Sequence, residues 1–419
     1  MPATTPLPHS AAHLGWLAAQ ERQLLTFGRR VVREPSGLAH WLGDDGAPDL
    51  NQPSHTFITA RMAHVYFLAT MRGIPGGALL ADRLLTALDT AARDQHHTGW
   101  LDRQPDAVSA ADLAPEPEPQ PDKQTYSHAF VILAAATGTQ AGHPVAPRLL
   151  EEALQLTVDR FGEHGGPLFA DSLSADLATV RPYRGINANM HMVEALLAAA
   201  DATGEQGWAE RASAICDFVI EQAAGNQWRI PEHYTSDWQP ELEYNADQPA
   251  DQFRPYGATV GHAFEWARLL VQAAPAEHRD HYLSAAISLT DQAVADGWAR
   301  SGHPGFAYTT DWSGQPVIDD RLHWVAAEAI ATAATLWQAT GDTRYQSWYD
   351  AWWDYTATYL IDHTHGSWHH QLDPQNQPSS TIWAGKPDLY HAYQAVLISQ
   401  LPIRRSIAAA VLAGESSDG

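Results

Sequence analysis

A single cysteine, Cys216, is all the sequence offers for disulfide chemistry, so no intramolecular bridge can hold the chain together. A reducing compartment suits such a chain. Lysine is nearly as scarce. Lys123 and Lys386 are the only two, and 25 Lys and Arg stand against 49 Asp and Glu, a formal net charge of -24. That balance argues against nucleic acid as a partner, because phosphate binding needs a basic face. It also opposes an anionic membrane surface. No apolar run approaches the roughly 20 residues of a membrane helix. Residues 1–10 lack a basic n-region and an apolar h-region, so no signal peptide is expected. These absences predict a cytoplasmic protein with no membrane contact. Chemical signatures are missing too: there is no HExxH, no Cys/His cluster with zinc spacing, no phosphate loop, no dinucleotide fingerprint and no Gly-x-Ser-x-Gly. No metal and no other cofactor is expected. His363, His365, His369 and His370 crowd together, but they share a turn with Gly366 and Trp368 and read as exposed.

What the chain does have is helix. Ala- and Leu-rich segments with helical periodicity recur along its 419 residues, broken by Gly, Pro and Asp. The pattern predicts twelve helices, near 9–32, 54–73, 77–96, 124–139, 146–162, 187–203, 206–223, 258–274, 277–299, 320–340, 343–362 and 387–400. Short Gly-bearing turns join several of them, as at Gly73-Ile74-Pro75-Gly76, Thr203-Gly204-Glu205 and Thr340-Gly341-Asp342. The other connections are longer and alike. Gly99-Trp100-Leu101, Gly166-Pro167-Leu168-Phe169, Gln227-Trp228-Arg229, Gly305-Phe306-Ala307-Tyr308 and Gly366-Ser367-Trp368-His369 read as short β-hairpins at one end of the bundle. A polar or aromatic residue recurs early in alternate helices: Arg61, His128, His191, His262, Trp324 and His391, at intervals of 67, 63, 71, 62 and 67. Six helical hairpins with that period predict an all-α fold, a closed (α/α)6 barrel occupying 1–419 as one catalytic domain. The exception is 104–122, where Ala114-Pro115-Glu116-Pro117-Glu118-Pro119-Gln120-Pro121 forbids helix and predicts an extended surface loop or a lid.

Several inner-helix residues carry chemistry. Asn187 and His191 are four apart and share a face. His262 and Glu265 are three apart, and a carboxylate beside an imidazole fixes its tautomer and raises its basicity. Asp388 and His391 repeat that spacing in Lys386-Pro387-Asp388-Leu389-Tyr390-His391, where Pro387 marks a helix start. Arg61 sits among Ala60, Met62 and Phe57 and must reach a partner or a cavity. Trp324 and Glu328 share a face, one able to stack on a sugar ring and the other to bind hydroxyls. The 16 tryptophans and 22 histidines of the chain give this chemistry its materials.

Taken together, Phe57-x-x-x-Arg61, Asn187-x-Asn189-Met190-His191, Gly261-His262-x-x-Glu265-Trp266, Trp324-x-x-x-Glu328 and Lys386-Pro387-Asp388-x-Tyr390-His391 resemble the N-acylglucosamine 2-epimerase superfamily. The likeness is strongest to its bacterial branch of mannose and sulfoquinovose isomerases, and Pro231-Glu232-His233-Tyr234 adds to it. The resemblance implies metal-independent aldose–ketose isomerisation of a monosaccharide, D-mannose to D-fructose, by ring opening and a cis-enediol. It implies proton transfer by His262 and His391, a site completed by Arg61, His191 and Glu265, and sugar contacts from Phe57, Tyr126, Asn187, Trp324 and Glu328. Which histidine touches carbon stays open, as does oligomeric state. A sulfoquinovose isomerase and a 2-epimerase would use the same groups. An inverting glycoside hydrolase would instead need two carboxylates roughly 6.5–9.5 Å apart, with Glu265 and Glu328 as candidates. A non-catalytic sugar-binding barrel is the remaining option.

Overall fold

The computed structural model describes residues 9–104 and 121–415. The Pro-rich stretch expected to form a loop or lid falls, over 105–120, outside the described residues. In chain order the helices are α1 (Ala11–Phe27), α2 (Thr56–Met71), α3 (Gly77–Asp89), α4 (Thr125–Gln140), α5 (Ala146–Phe161), α6 (Ile186–Thr203), α7 (Gln206–Gly225), α8 (Val260–Ala273), α9 (Arg279–Gly297), α10 (His323–Thr340), α11 (Thr343–Tyr355), α12 (Tyr390–Ile398) and α13 (Ile407–Glu415).

The even-numbered helices α2 to α12 form an inner ring. Each packs on the next, and α12 returns to α2, so the ring is closed. Helices α3, α5, α7, α9 and α11 lie outside, each against the inner helix before it, while α1 backs α12. This is the (α/α)6 barrel that the repeat predicts. Burial explains the two compositions. An inner helix has neighbours on both flanks and one behind, so it is apolar almost all round: α10 is buried from Val325 through Trp337. An outer helix needs one apolar stripe, and α5 supplies Leu149, Leu150, Ala153, Leu154, Thr157 and Phe161.

The hairpins that join the repeats gather at the N-terminal ends of the inner helices and form short antiparallel ladders, such as Ser54–His55 with Arg103–Gln104 and Arg184–Gly185 with His233–Tyr234. They also cap the inner helices. None of the first five has a side-chain cap. Instead the leading N–H groups of Thr56, Thr125, Ile186, Val260 and His323 donate to the carbonyls of Asp102, Asp171, Glu232, Tyr308 and His370, at 2.9–3.1 Å. Each capping residue comes from the following hairpin, which fixes its side chain at the barrel mouth. Both lysines are structural clasps of this rim. Lys123 Nζ donates to Asp94 at 2.7 Å and Lys386 Nζ to Asp362 at 2.6 Å, all four side chains being buried.

Three helix expectations need correction. Helix α3 ends at Asp89, short of the expected 96, because the Thr90 backbone leaves the helical region. Helix α12 begins at Tyr390 rather than Pro387, because the Asp388 carboxylate accepts the Tyr390 N–H at 3.0 Å and keeps 386–389 out of the helix. Helix α13 was not foreseen. It is a short apolar segment that lies across the C-terminal ends of α2, α4, α6 and α12 and closes the end of the barrel opposite the mouth.

Candidate active site

Register along the inner helices builds the site. Phe57, Tyr126, Asn187 and Trp324 are each the second residue of α2, α4, α6 and α10. Arg61, Phe130, His191, Glu265 and Glu328 are each the sixth residue of α2, α4, α6, α8 and α10. Four residues make just over one turn, so the two sets form stacked layers facing the barrel axis. A third polar layer lies beneath, with His64, Glu194 and Arg268 as the ninth residues of α2, α6 and α8. In α8 the second position is Gly261. A Cβ there would collide with the Trp324 ring, so glycine lets that ring lie beside His262, at 5.2 Å between centroids.

One pocket at the mouth is lined by Arg61, Tyr126, Asn187, His191, His262, Glu265, Trp324 and His391, which the sequence singled out. Phe57 lines the adjoining cleft with Tyr126 and Asn187, and its ring centroid is 5.3 Å from the Arg61 guanidinium. Glu328, expected to bind hydroxyls, does not line the pocket. It stands behind His391, its Oε1 2.8 Å from Nδ1. His128 is turned away: its Nδ1 bonds the Gln124 carbonyl at 2.8 Å, and the Tyr126 phenol takes the place on the axis.

Both expected acid–imidazole pairs are replaced by others. His262 Nδ1 is held not by Glu265 but by Glu232, at 2.9 and 3.0 Å to the two carboxylate oxygens. His391 Nδ1 is held not by Asp388 but by Glu328. Asp388 instead pairs with Arg61 at 3.1 Å, and Arg61 also donates to the Tyr126 hydroxyl at 2.7 Å. With Nδ1 engaged on each ring, Nε2 is the nitrogen left for the pocket. Trp324 lies between the two imidazoles, 5.2 Å from His262 and 5.7 Å from His391.

The electrostatics sort these groups. Burial, then the Arg61 charge, holds the His391 imidazole well below its ordinary pKa. Burial likewise lowers His191 to about 4, despite nearby Glu194. Burial works against the Arg61 charge, but Tyr126, Asp388 and Tyr390 outweigh it and keep the guanidinium protonated. Glu265 is pushed far up, by burial and then by the neighbouring Glu328 carboxylate. Among the described residues neither oxygen of Glu265 has a hydrogen-bond partner; His191 Nδ1 is 3.7 Å away and Arg268 Nη2 3.6 Å. Glu328 accepts from both Nε and Nη2 of Arg268, at 3.1 and 3.0 Å. Burial raises Glu328 as well, but the Arg268 charge and its hydrogen bonds oppose that rise, so of these two acids Glu265 holds its proton the more tightly.

The sequence pattern names Glu232, Tyr308 and His370 but gives them no role in the site; all three are drawn to the mouth by the capping carbonyls. The sequence predicts His370 as an exposed turn residue. It is buried, stacked on His323 at 3.7 Å, and lines the pocket with Tyr308. A signal existed. Asp102, Asp171, Glu232, Tyr308 and His370 each lie two residues after a buried hydrophobic of the hairpin turn: Trp100, Phe169, Ile230, Phe306 and Trp368. The segment carrying Gln252, Phe253 and Pro255 was also missed and covers one side of the pocket. It is pinned where His233 Nε2 donates to the Pro255 carbonyl at 2.8 Å and where Arg254 meets Asp171 at 3.0 Å. Burial outweighs Arg254 and lifts Asp171 to about 6.

Two buried groups could bring metal ligands together, His191 with Glu194 and Glu265, and Glu265 with Glu328 and His391, their donor atoms lying within 4.8 Å of one another. The cation position between Glu265 and Glu328 is filled by the Arg268 guanidinium.

A pocket with two anchored imidazoles, a guanidinium and an indole face suits acid–base work on a polyhydroxylated substrate. Known proteins agree with the architecture. The D-mannose isomerase of Thermobifida fusca is 47% identical over 405 residues, covering 96% of this chain and 97% of that one. The D-mannose isomerase of Pseudomonas cannabina pv. alisalensis is 43% identical over 409 residues, 96% of each chain. A crystal structure of a D-mannose isomerase superposes with a TM-score of 0.84 at 29% identity, covering 94% of this chain and 99% of that one. The profile of the N-acylglucosamine 2-epimerase (GlcNAc 2-epimerase) family matches residues 37–395, which takes in five inner helices whole, α12 as far as Ala395, and every residue of the pocket. The chain belongs to the N-acylglucosamine 2-epimerase family.

Proposed function

We propose that this chain is an aldose–ketose isomerase that interconverts D-mannose and D-fructose by histidine acid–base catalysis. The observation that carries the reading is the pair of imidazoles, His262 and His391, each fixed at Nδ1 by a buried carboxylate and facing one pocket across Trp324. The D-mannose isomerases at 43–47% identity supply the substrate class.

A pyranose carries no acidic C–H, so the ring opens first. His262, held at Nδ1 by Glu232, gives a proton to the ring oxygen and takes the O1 proton as the C1–O5 bond breaks, leaving the open aldehyde. His391, which burial keeps neutral, then takes the proton from C2 of the open aldehyde. Arg61 holds the oxygens on which the enediol's charge develops. His262 gives its proton to O1 as the enediol forms and takes the O2 proton as the His391 imidazolium returns the carbon-bound proton to C1, so O2 becomes the ketone and both imidazoles are restored. Asn187, Tyr126 and Trp324 orient the sugar, and the neutral carboxyl of Glu265 can donate to a hydroxyl.

The site favours a neutral sugar. A sulfonate at C6 needs an uncommitted cation. Arg61 is paired with Asp388, and Arg254 with Asp171. For an inverting hydrolase, Glu265 and Glu328 stand too close, with carboxylate oxygens within 4.8 Å, and Glu328 is already bound by His391 and Arg268. Among the described residues no helix is long and apolar enough to cross a membrane. We infer a cytoplasmic location, consistent with one buried, unbridged cysteine.

Incubation with mannose, sulfoquinovose and N-acetylmannosamine in deuterated water tests the reading, with label followed at C1 and C2. Fructose from mannose is the expected product, and His391→Asn is expected to abolish exchange at C2. Glucose as sole product makes the enzyme an epimerase; exchange at full rate in the variant overturns the assignment of the base.

A further inference from the structure

The two histidines have unequal carboxylates. Glu232 accepts from His262 Nδ1 and, at 3.3 Å, from the Thr259 N–H. Glu328 accepts from His391 Nδ1 on one oxygen and from two nitrogens of Arg268 on the other. Arg268 is fully buried in the layer beneath the pocket and does not itself line it; its Nη2 also lies 3.6 Å from Glu265, which does. Its Nη1 donates to Gln272 Oε1 at 3.1 Å, which holds the guanidinium plane from below.

We infer that Arg268 is a positioning residue for the base: by binding Glu328 it keeps His391 neutral and its Nε2 aimed at the sugar. A carboxylate shared with a guanidinium still accepts an N–H from a neutral imidazole. It has less charge left to stabilise an imidazolium. The fork of two N–H groups fixes the plane of Glu328, and Glu328 fixes the ring of His391. Thus Glu328 is shared with a guanidinium and Glu232 is not, and the two carboxylates differ in the charge each can offer its ring.

Other groups also face His391. Glu328 and His323 approach from α10, Arg61 from α2, His191 from α6 and Glu265 from α8. Asp388 and Tyr390 come from its own segment and His370 from the hairpin before it. Arg61 also opposes protonation, but it is bound to Asp388, which favours it. Arg268 acts on the one carboxylate in hydrogen-bond contact with the ring. Around Arg268 itself lie Glu328, Glu265, Glu194 and Tyr390, so it is the cation on which this acidic floor depends.

The inference rests on His391 being the base, and its test separates the two. Protein labelled with 15N-histidine is titrated by NMR, and kcat and KM for mannose are measured against pH. Arg268→Gln is expected to raise the pH at which His391 titrates and to move the acid limb of kcat upward with it. Arg268→Lys keeps the charge but not the fork. It is expected to lower kcat about tenfold with KM little changed. In a Glu328→Gln background, Arg268→Gln is expected to add under about twofold, since its route is already cut. An unmoved His391 titration in both Arg268 variants overturns the inference, as does an equal loss with and without Glu328. If Arg268→Gln does not fold, Arg268→Lys decides by its steady-state kinetics, and a wild-type kcat in it overturns the inference. The titration needs no turnover, so it stands even if C2 exchange shows that another group is the base.

Discussion

Glu232 meets His262 at 2.9 Å from thirty positions away in sequence, the carboxylate arriving on a mouth hairpin and the imidazole on α8. The Glu232 carbonyl caps α6 at the same time, so its side chain cannot drift from the ring. Glu232→Gln keeps an acceptor for Nδ1 and removes the charge that stabilises the imidazolium. Loss of such an outer partner typically costs about 10–100-fold. We predict that fall in kcat for mannose, with KM little changed and the melting temperature within a few degrees of wild type. Parallel steady-state kinetics and thermal melts check it, and a wild-type kcat sinks the role given to Glu232.

Gly261 predicts a second effect. Its φ is not in the left-handed region, so alanine fits the helix, and α8 should gain slightly in propensity. The new Cβ would overlap the Trp324 ring and force it away from its position between His262 and His391. Gly261→Ala should therefore fold and lose activity, by at least about tenfold if the near-attack geometry is disturbed. Quenching of Trp324 fluorescence is too diluted among 16 tryptophans to report this. Difference NMR of the His262 and His391 ring signals is the measurement.

Arg61 is held by Asp388 and Tyr126 while its plane lies against aromatic rings, 4.4 Å from the Phe130 centroid and 4.7 Å from that of Tyr390. Lysine cannot reproduce this set of contacts. Arg61→Lys should lower kcat/KM by about 10²–10³-fold, the usual loss when one oxyanion donor goes. Asp388→Asn leaves the guanidinium in place and frees it, so its loss should be smaller. Equal losses in the two variants would mean that the pair acts as a structural unit.

The barrel and most of its lining were legible because both follow from helix period. Residues at the second and sixth positions of each inner helix point along the axis whatever the loops do. The acid partners were not legible, for a reason that the helices themselves supply. Spacing of three or four relates side chains on one helix surface, and in this barrel each inner helix shows the axis only a narrow stripe. Glu265 sits a turn below His262 and faces His191, while the Nδ1 edge of His262 turns up to the hairpin. Asp388 precedes the helix start at Tyr390, so the rule does not apply to it. Glu328 reaches His391 from sixty-three positions away, across the α10–α12 interface. Such pairs are set by ring closure, and no local pattern encodes them.

Acid stability follows from buried histidines outside the pocket. His128 donates from Nδ1 to the Gln124 carbonyl, and its Nε2 faces the Trp100 N–H at 3.5 Å, so a second proton has no acceptor. His64 is bound at Nδ1 by Thr137, with Nε2 buried and unpartnered. Burial lowers both to about 4 from 6.5. A base whose folded pKa lies below its unfolded one stabilises the fold fully above the unfolded value, and that stability is lost as pH falls from 6.5 toward 4. In that window the unfolded chain binds a proton that the folded chain refuses, so unfolding free energy falls by about 1.4 kcal/mol per pH unit for each such group. Over the window His128 alone should cost roughly 3 kcal/mol. His128→Gln, which can still bond the Gln124 carbonyl, should be less stable than wild type at pH 7 and lose less on acidification. Urea denaturation at several pH values between 7 and 4.5 measures it. The expected outcome is a slope reduced by about one proton in the variant; identical slopes would mean that His128 is protonated in the folded barrel and that the hydrogen bonds around it do not fix its neutral form.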